Sequence, residues 1–296
     1  MAHELQERYS KLVAAKLRAS LVTKDEVIFN TFYEGDPTSG AVKIPVRDAN
    51  PTVANYNKTN VGNNAMTYGS TAYITAVIDN DKFVNEYIDG YEADAVPDSI
   101  VADRLDSAGY ALALDEDVTG IATLVNAVQG KGKNGAVYAA DDPRYGKAGS
   151  VVTVTLSASN AYDTMVDLGA YQDEKNVPRE ERYAIVSPAA YSFLLKDDHF
   201  IRQGDLSQKL KESGALGMVA GYAIYQSNNL GQVGSDQVQI VVGHPKYATR
   251  VDEWQVKPYL QDLGGDMNVV GGSAVKGRWV FTHEVTSPEA FALVHA

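Results

Sequence analysis

The sequence predicts an α+β fold, and three observations lead to this class. Residues 98–129 keep apolar side chains at helical spacing between an N-cap signal, Pro-Asp-Ser, and Gly130. Several shorter segments alternate apolar and polar residues, as half-buried strands do. These helices and strands follow one another without the regular βαβ rhythm of a parallel α/β fold.

Composition is that of an ordinary globular protein, with 296 residues, 45% hydrophobic and 22% charged. The absence of cysteine excludes disulfides, thiolate metal sites and cysteine nucleophiles. We expect no membrane segment, since no apolar run approaches the roughly 20 residues that span a bilayer. The N-terminus also lacks the charge and apolar order of a signal peptide. A net charge of −12 argues against a broad nucleic-acid-binding face. It suits a protein that repels other polyanions, or simply a soluble protein.

The N-terminal part predicts a helix, a strand and a long hairpin. Residues 4–20 carry the narrow apolar stripe of a helix that packs on a neighbour or partner. The same helix carries three basic side chains, Lys11, Lys16 and Arg18. They indicate either a contact with a neighbour or an acidic scaffold, or a plain solvated face. A strand is predicted for 27–33. In 42–78, strand-like flanks enclose a polar stretch, which favours a projecting β-hairpin over a disordered loop.

The long helix carries two apolar stripes that shift in phase near Leu112, and glycines 109 and 120 suggest a bend or a change of packing partner. We expect the following side chains to anchor the helix to the β-rich late part of the chain: Leu105, Leu112, Val118, Ile121 and Val125. A helix of this length is a rod of roughly 45 Å, which braces two regions. A flexible basic linker, 130–135, is predicted to follow it.

The later part of the chain predicts a short helix at 162–170 and three strands, at 237–242, 249–260 and 278–285. Pro258 lies near the end of the second strand. Because proline cannot donate to a sheet ladder, it marks a strand edge or a strand end.

The most informative stretch of the sequence is 178–230. It begins P-R-E-E-R-Y-A-I-V-S-P-A-A-Y-S-F-L-L, a strand at 183–186 that leads into a helix, with Ser187 as N-cap and Pro188 at the first helical position. It ends G-Y-A-I-Y-Q-S-N-N-L, a strand and a polar turn. This pair of elements, at this separation, resembles the axial domain of tailed-phage major capsid proteins, the shell subunits of the Hong Kong 97 fold.

The resemblance covers the chain from about residue 27 onward and implies a Hong Kong 97-type α+β fold. The implied divisions are an N-arm (1–40), an extended loop (41–78), a peripheral domain (79–130 and 246–285, with spine helix 98–129) and an axial domain (131–245 and 286–296). The implied function is a self-assembling structural subunit. Its pentamers and hexamers would close into an icosahedral capsid around double-stranded phage DNA, without sequence-specific binding to that DNA.

The resemblance also implies the partners of the subunit. They are further copies of the chain, a portal protein and, as an optional addition, a decoration protein. A separate scaffolding protein is expected because the fold-like pattern begins within about 40 residues of Met1. Synthesis in the cytoplasm of the bacterial host and location in the virion capsid follow from the same resemblance.

The sequence predicts no catalytic, cofactor-binding or metal-binding residue, and hence no enzyme. The five histidines, at 3, 199, 244, 283 and 295, lack zinc-helix spacing, and we predict structural roles for them. The run Asp115-Glu116-Asp117 imitates the start of a calcium loop, but its twelfth position is Asn126. We therefore predict that this run is a solvated acidic helix face.

Two other questions follow from the resemblance. Some relatives form an isopeptide bond, for which Lys43 or Lys58 and Asn268 would be the partners here, but no acidic catalyst can be aligned and we predict no cross-link. The alternative functions are an encapsulin-type compartment shell and, from a different class, an acidic cytoplasmic hydrolase or sugar-binding protein.

Overall fold

A computed structural model describes residues 18–23, 27–33, 40–46, 53, 55–59, 71–89, 100–197, 217–264 and 271–296. The helices in these ranges are α1 (Ile100–Val128), α2 (Ala161–Glu174) and α3 (Pro188–Lys196). The strands are β1 (Ala41–Val46), β2 (Ala72–Val77), β3 (Asn80–Ile88), β4 (Ser150–Thr153), β5 (Tyr183–Val186), β6 (Met218–Val219), β7 (Tyr222–Gln226), β8 (Gln232–Val233), β9 (Asp236–Gly243), β10 (Ala248–Asp262), β11 (Ser273–Val285) and β12 (Ala292–His295).

These strands form three sheets. A hairpin sheet pairs β1 with β2, a ribbon sheet has the order β10-β11-β3, and a seven-stranded sheet has the order β4-β12-β9-β5-β7-β6 with β8 beside β9. The ribbon and the hairpin are antiparallel, whereas the seven-stranded sheet is mixed. The predicted α+β class is confirmed.

The strand-to-helix element of the sequence motif lies at the centre of the seven-stranded sheet. Strand β5 pairs in parallel with β7 and antiparallel with β9, and all four of its residues are buried. The Ser187 hydroxyl accepts a hydrogen bond from the Ala190 amide at 3.1 Å, and Pro188 occupies the first turn. Local capping therefore starts α3 where the sequence predicts it.

The seven-stranded sheet is covered on both of its faces. Tyr183 and Ile185 of β5 point into a cluster with the C-terminal half of α1, whereas Ala184 and Val186 point into a cluster with α2 and α3. This alternation is the period of two that a strand imposes. Helix α2 is four residues longer at its C-terminus than the helix predicted for 162–170.

The two halves of helix α1 pack against different sheets, as expected for a helix that braces two regions. Leu105 and Leu112 pack against the ribbon, while Ile121 and Val125 belong to the cluster on the seven-stranded sheet. The prediction that these side chains anchor the helix to the late β-rich ribbon is wrong for Ile121 and Val125, whose cluster lies mainly on the seven-stranded sheet. It is also wrong for Val118, because its side chain is 45% exposed. Val118 and Val125 share one face of the helix, but only at Val125 does a described element cover that face.

The strand predicted for 27–33 is also wrong. Residues 27–29 form a turn, and Asn30 makes a single parallel bridge to Thr249. Ile28 and Phe29 are adjacent in sequence and both fully buried, unlike neighbours in a strand that has one face in solvent. Residues 18–20, predicted as a helix end, have no regular structure, and the rest of that predicted helix lies outside the described residues.

The flanks of the predicted hairpin are confirmed, with a register that runs from Ala41 opposite Val77 to Val46 opposite Ala72. Its tip lies largely outside the described residues. Pro258 lies in the edge strand β10, at a break in its register with β11, as predicted. Strand β3 was not predicted from the sequence, because both of its faces mix polar and apolar side chains. Pairing with β11 is what makes this segment a strand.

Candidate functional site

An N-terminal latch holds the segment 18–23 on helix α1. Both carboxylate oxygens of Asp117 are occupied: Oδ1 accepts from the amides of Val22 (2.7 Å) and Thr23 (2.9 Å) and from the Thr23 hydroxyl (3.0 Å). Oδ2 accepts from Asn229 Nδ2 at 2.8 Å. We call these four residues, Val22, Thr23, Asp117 and Asn229, the N-terminal latch. It joins the N-terminal segment, α1 and the turn after β7.

The predicted solvated acidic face at 115–117 is wrong. Glu116 and Asp117 are 1% and 0% exposed, and only Asp115 reaches solvent, where it pairs with Lys82 at 3.2 Å. The groups that donate hydrogen bonds to Asp117 belong to residues far away in the sequence. Helical periodicity therefore could not indicate that these groups surround the Asp117 side chain. Gly120 was the available signal, since glycine in a helix interior is unfavourable and needs a packing reason. A Cβ at Gly120 would lie 3.2 Å from Thr23, Phe29 and His283.

A second layer of polar side chains surrounds the latch. Arg250 of β10 donates to the Thr23 carbonyl at 3.1 Å, lies 3.5 Å from Glu116 and pairs with Asp252 at 2.9 Å. His283 of β11 is fully buried, with Nε2 3.8 Å from Glu116 Oε1. Its ring lies 4.6 Å from that of Phe29. Four separate segments of the chain therefore meet at this point.

Arg18 and Ala19, which precede the latch residues in the sequence, also contact α1. Arg18 forms an ion pair with Asp106, and its guanidinium lies 4.8 Å above the ring of Tyr110. The Ala19 amide donates to the Tyr110 hydroxyl at 2.7 Å. Arg18 is thus engaged with its own chain, while Lys11 and Lys16 lie outside the described residues.

Burial gives the latch region a pH dependence through His283. Desolvation, with the positive charges of Arg250 and Lys133, lowers the pKa of His283 to about 3. The unfolded value is about 6.5, so protons favour the unfolded chain, and stability present above that pH is lost as the pH falls toward 3. We expect the parent to lose about 1 kcal/mol more than His283→Gln between pH 7.5 and 5.5.

Urea titration of both proteins at the two pH values measures this difference. Burial raises the pKa of the neighbouring Glu284 and acts with the opposite sign, but it is present in both proteins and cancels in the comparison. An identical pH dependence in parent and variant would contradict the prediction.

A buried ion pair fixes the segment after α1 on the ribbon. Arg144 pairs with Glu284 of β11, donates to the Val285 carbonyl at 3.0 Å and binds Asp142 through Nε at 2.9 Å. Its guanidinium also lies 4.2 Å above the Tyr138 ring. The predicted flexible linker 130–135 is tightly folded instead, with a bridge between Lys131 and Val137. The Gly132 amide donates to the Ala136 carbonyl at 2.8 Å.

The ribbon sheet exposes apolar side chains on the side away from α1. Phe83 is 72% exposed and lies opposite Arg278, which lies opposite Val256 on the third strand. Paired residues share a face of a sheet. We therefore call this surface the ribbon face; its exposed apolar members are Phe83, Tyr87, Val256 and Tyr259. Trp279 and Phe281 point the other way and pack on Leu112 of α1.

The other residues singled out from the sequence are not brought together. Lys43 lies on β1 and Lys58 in the described part of the hairpin, but Asn268 lies outside the described residues. His295 contacts Thr153 at 3.0 Å, and the His244 ring accepts from the Lys246 amide at 3.0 Å. The described residues contain no cluster of three or more side chains that could hold a metal. No helix in the same ranges is long and apolar enough to cross a membrane.

The Hong Kong 97 fold is made up here of a hairpin packed on a three-stranded ribbon, a long helix that joins this ribbon to a second sheet, and that mixed sheet covered on both faces. A family model described as phage capsid protein matches residues 91–294, more than two thirds of the chain. The chain therefore belongs to the phage capsid protein family and is a structural subunit of a virion capsid. A search of curated protein sequences finds no match.

Solved structures from phages share the fold. A chain of Mycobacterium phage Che8 superposes with a TM-score of 0.74 at 21% identity, covering 98% of this chain and 96% of that one. The capsid of cyanophage P-SCSP1u gives 0.72 at 16% identity, with 98% and 92% covered. The mature capsid of bacteriophage PhiM1 gives 0.69 at 15% identity, with 98% and 91% covered. These comparisons do not favour the compartment-shell or hydrolase alternatives.

Proposed function

We propose that copies of this chain form pentamers and hexamers that close into an icosahedral shell around double-stranded phage DNA. In each contact, the hairpin of one copy lies over the ribbon face of a neighbour. The ribbon face carries this proposal, because its aromatic side chains are exposed in the single subunit and would be buried by such a contact. A head-to-tail contact of this kind generates closed rings when the rotation between neighbouring copies closes.

Charge supports the same pairing of surfaces. The hairpin segment 41–78 holds three basic side chains, Lys43, Arg47 and Lys58, and one acidic side chain, Asp48. Residues 79–117, which include β3 and most of α1, hold twelve acidic side chains and two basic ones. A basic hairpin on an acidic neighbour would associate faster and in a preferred orientation.

The proposed domain boundaries follow the sheets. Residues 79–130 and 246–285, with the ribbon and spine helix α1, form the peripheral domain, and 131–245 with 286–296 form the axial domain around the seven-stranded sheet. Residues 1–40 are the N-arm and 41–78 the extended loop. The N-terminal latch marks where the arm joins the body, since Thr23 is held by both α1 and β10.

The proposed partners are those that the family resemblance implies. A separate scaffolding protein guides assembly, a portal protein occupies one vertex, and a decoration protein is an optional addition. The DNA inside is enclosed without sequence-specific binding, which the net charge of −12 supports. We propose synthesis in the host cytoplasm and no catalytic role, which membership of a family of capsid proteins supports.

Deleting residues 48–70 is expected to leave a soluble, folded subunit that no longer closes into shells. The reason is that the β1–β2 ladder has its own register and its own buried side chains, whereas the deleted part supplies the contact with a neighbour. Size-exclusion chromatography and negative-stain imaging, with and without the scaffolding protein of the same phage, measure assembly. Circular dichroism measures folding.

The full-length chain is the positive control and should give closed particles. Shells formed by the deletion variant would refute the role of the hairpin. Unfolding of that variant would show instead that 48–70 belongs to the core of the subunit. A full-length chain that stays monomeric even with the scaffolding protein would refute the shell proposal itself.

A further inference from the structure

One lysine side chain joins the base of the hairpin to the body of the subunit. Lys133 lies in the tight turn after α1, and its ammonium donates to the Val77 carbonyl at the end of β2. It also donates to the Asp79 carboxylate at 2.8 Å and to the Thr282 hydroxyl of β11 at 2.9 Å. An ammonium has three N–H donors, so these acceptors use all of them.

The turn that carries Lys133 is itself held firmly. The Gly135 amide donates to the Gly132 carbonyl at 2.8 Å, and the Lys131–Val137 bridge closes the turn. Further along, Arg144 and Glu284 fix the same segment on β11. The Lys133 side chain is only 19% exposed, whereas its partner Asp79 is 49% exposed. The Lys133 side chain therefore occupies a fixed position beside the base of the hairpin.

The other support of the hairpin is apolar. Ile44, Ile74 and Ala76 pack with Val251 of β10 in one small cluster. Apolar contact depends on the area buried and has little directional preference, whereas hydrogen bonds lose strength steeply when their angle changes. Packing against Val251 therefore holds the hairpin on the body, and the three bonds of Lys133 restrict its rotation about that contact.

From this geometry we propose that Lys133 is a positioning residue that sets the angle at which the hairpin leaves the subunit. The proposal rests on the proposed role of the hairpin in assembly. Six paired residues span about 20 Å, so a rotation of about 10° would move the far end of the ladder by roughly 3 Å. In a shell of pentamers and hexamers each contact tolerates only a narrow range of geometry, and an error of this size would produce open or irregular assemblies.

The first test measures the angle in the unassembled subunit. The chain has no cysteine, so spin labels can be placed at Tyr73→Cys on β2 and Val166→Cys on α2, both of which are exposed. We expect double electron–electron resonance to give a narrow distance distribution in the parent and a distribution about twice as wide in Lys133→Gln. An unchanged distribution in Lys133→Gln would overturn the proposal.

Lys131→Gln is the matched control, because Lys131 lies two residues away and donates to Gln129 within the same turn at 3.0 Å. It should keep the narrow distribution of the parent. If both lysine variants broaden the distribution equally, general loosening of the turn explains the result and the proposal fails. Asp79→Ala is a second variant that removes one acceptor and leaves Lys133 in place, and it should broaden the distribution less than Lys133→Gln.

The second test measures assembly. Lys133→Gln should keep its melting temperature within about 3 °C of the parent, since a partly exposed ion pair contributes little stability. It should nevertheless give open sheets or particles of mixed diameter in cryo-electron images. Uniform shells of parental diameter would overturn the proposal. Shell formation by the 48–70 deletion would refute the hairpin's role in assembly, whereas the distance measurement tests Lys133 independently of that outcome.

Discussion

Asp117→Ala is expected to lower the unfolding free energy by about 3–5 kcal/mol, the range found when one partner of a buried charged network is removed. The variant would leave the amides of Val22 and Thr23, the Thr23 hydroxyl and the Asn229 side chain without their acceptor. Each buried donor left unsatisfied costs about 1–3 kcal/mol. Water that enters the gap would recover part of this cost.

Asp115→Ala is the control, because Asp115 lies two residues away on the same helix and its side chain is 44% exposed. Its ion pair with Lys82 is expected to contribute about 1 kcal/mol or less. Urea titration of the two variants measures the difference. Hydrogen exchange at the amides of residues 22 and 23 should rise in Asp117→Ala alone. Equal losses in both variants would refute the latch.

Ile121→Ala is expected to cost about 2–5 kcal/mol, the range for removing a large aliphatic side chain from a packed core. Ile121 is fully buried where α1 meets the seven-stranded sheet and the N-terminal segment, in a cluster with Phe29 and Phe291. The cavity would therefore open at the junction of three parts of the subunit. Denaturant titration measures the loss.

Val118→Ala provides the matched comparison, one turn earlier on the same helix. Because Val118 is 45% exposed, its truncation is expected to change stability by about 0.5 kcal/mol or less. A loss at position 118 equal to that at position 121 would contradict the exposure of the Val118 side chain. A negligible loss at position 121 would contradict the packing of α1 described above.

Local signals in the sequence were enough to predict the elements that depend on neighbours along the chain. The Ser187 cap and Pro188 start α3, Gly130 adopts a left-handed φ of 72° at the end of α1, and the flanks of the hairpin alternate as strands do. Caps, turns and periodicity act over a few residues, so they can be read from the sequence alone. The motif at 178–230 combined two such elements and pointed to the capsid family that residues 91–294 match.

The features that failed were those in which distant residues decide. Strand β3 exists because β11 pairs with it, and Ile28 and Phe29 are both buried because α1 and β11 close over them. The same holds for the site. Asp117 was predicted to be a solvated acid, but its carboxylate accepts a hydrogen bond from the Val22 amide, 95 residues away in the sequence. Lys133 was predicted to lie in a flexible linker, but its ammonium donates hydrogen bonds to acceptors at the end of β2 and on β11. Periodicity reports which side of an element is apolar, but only the packed chain decides what covers that side and which buried charges find partners.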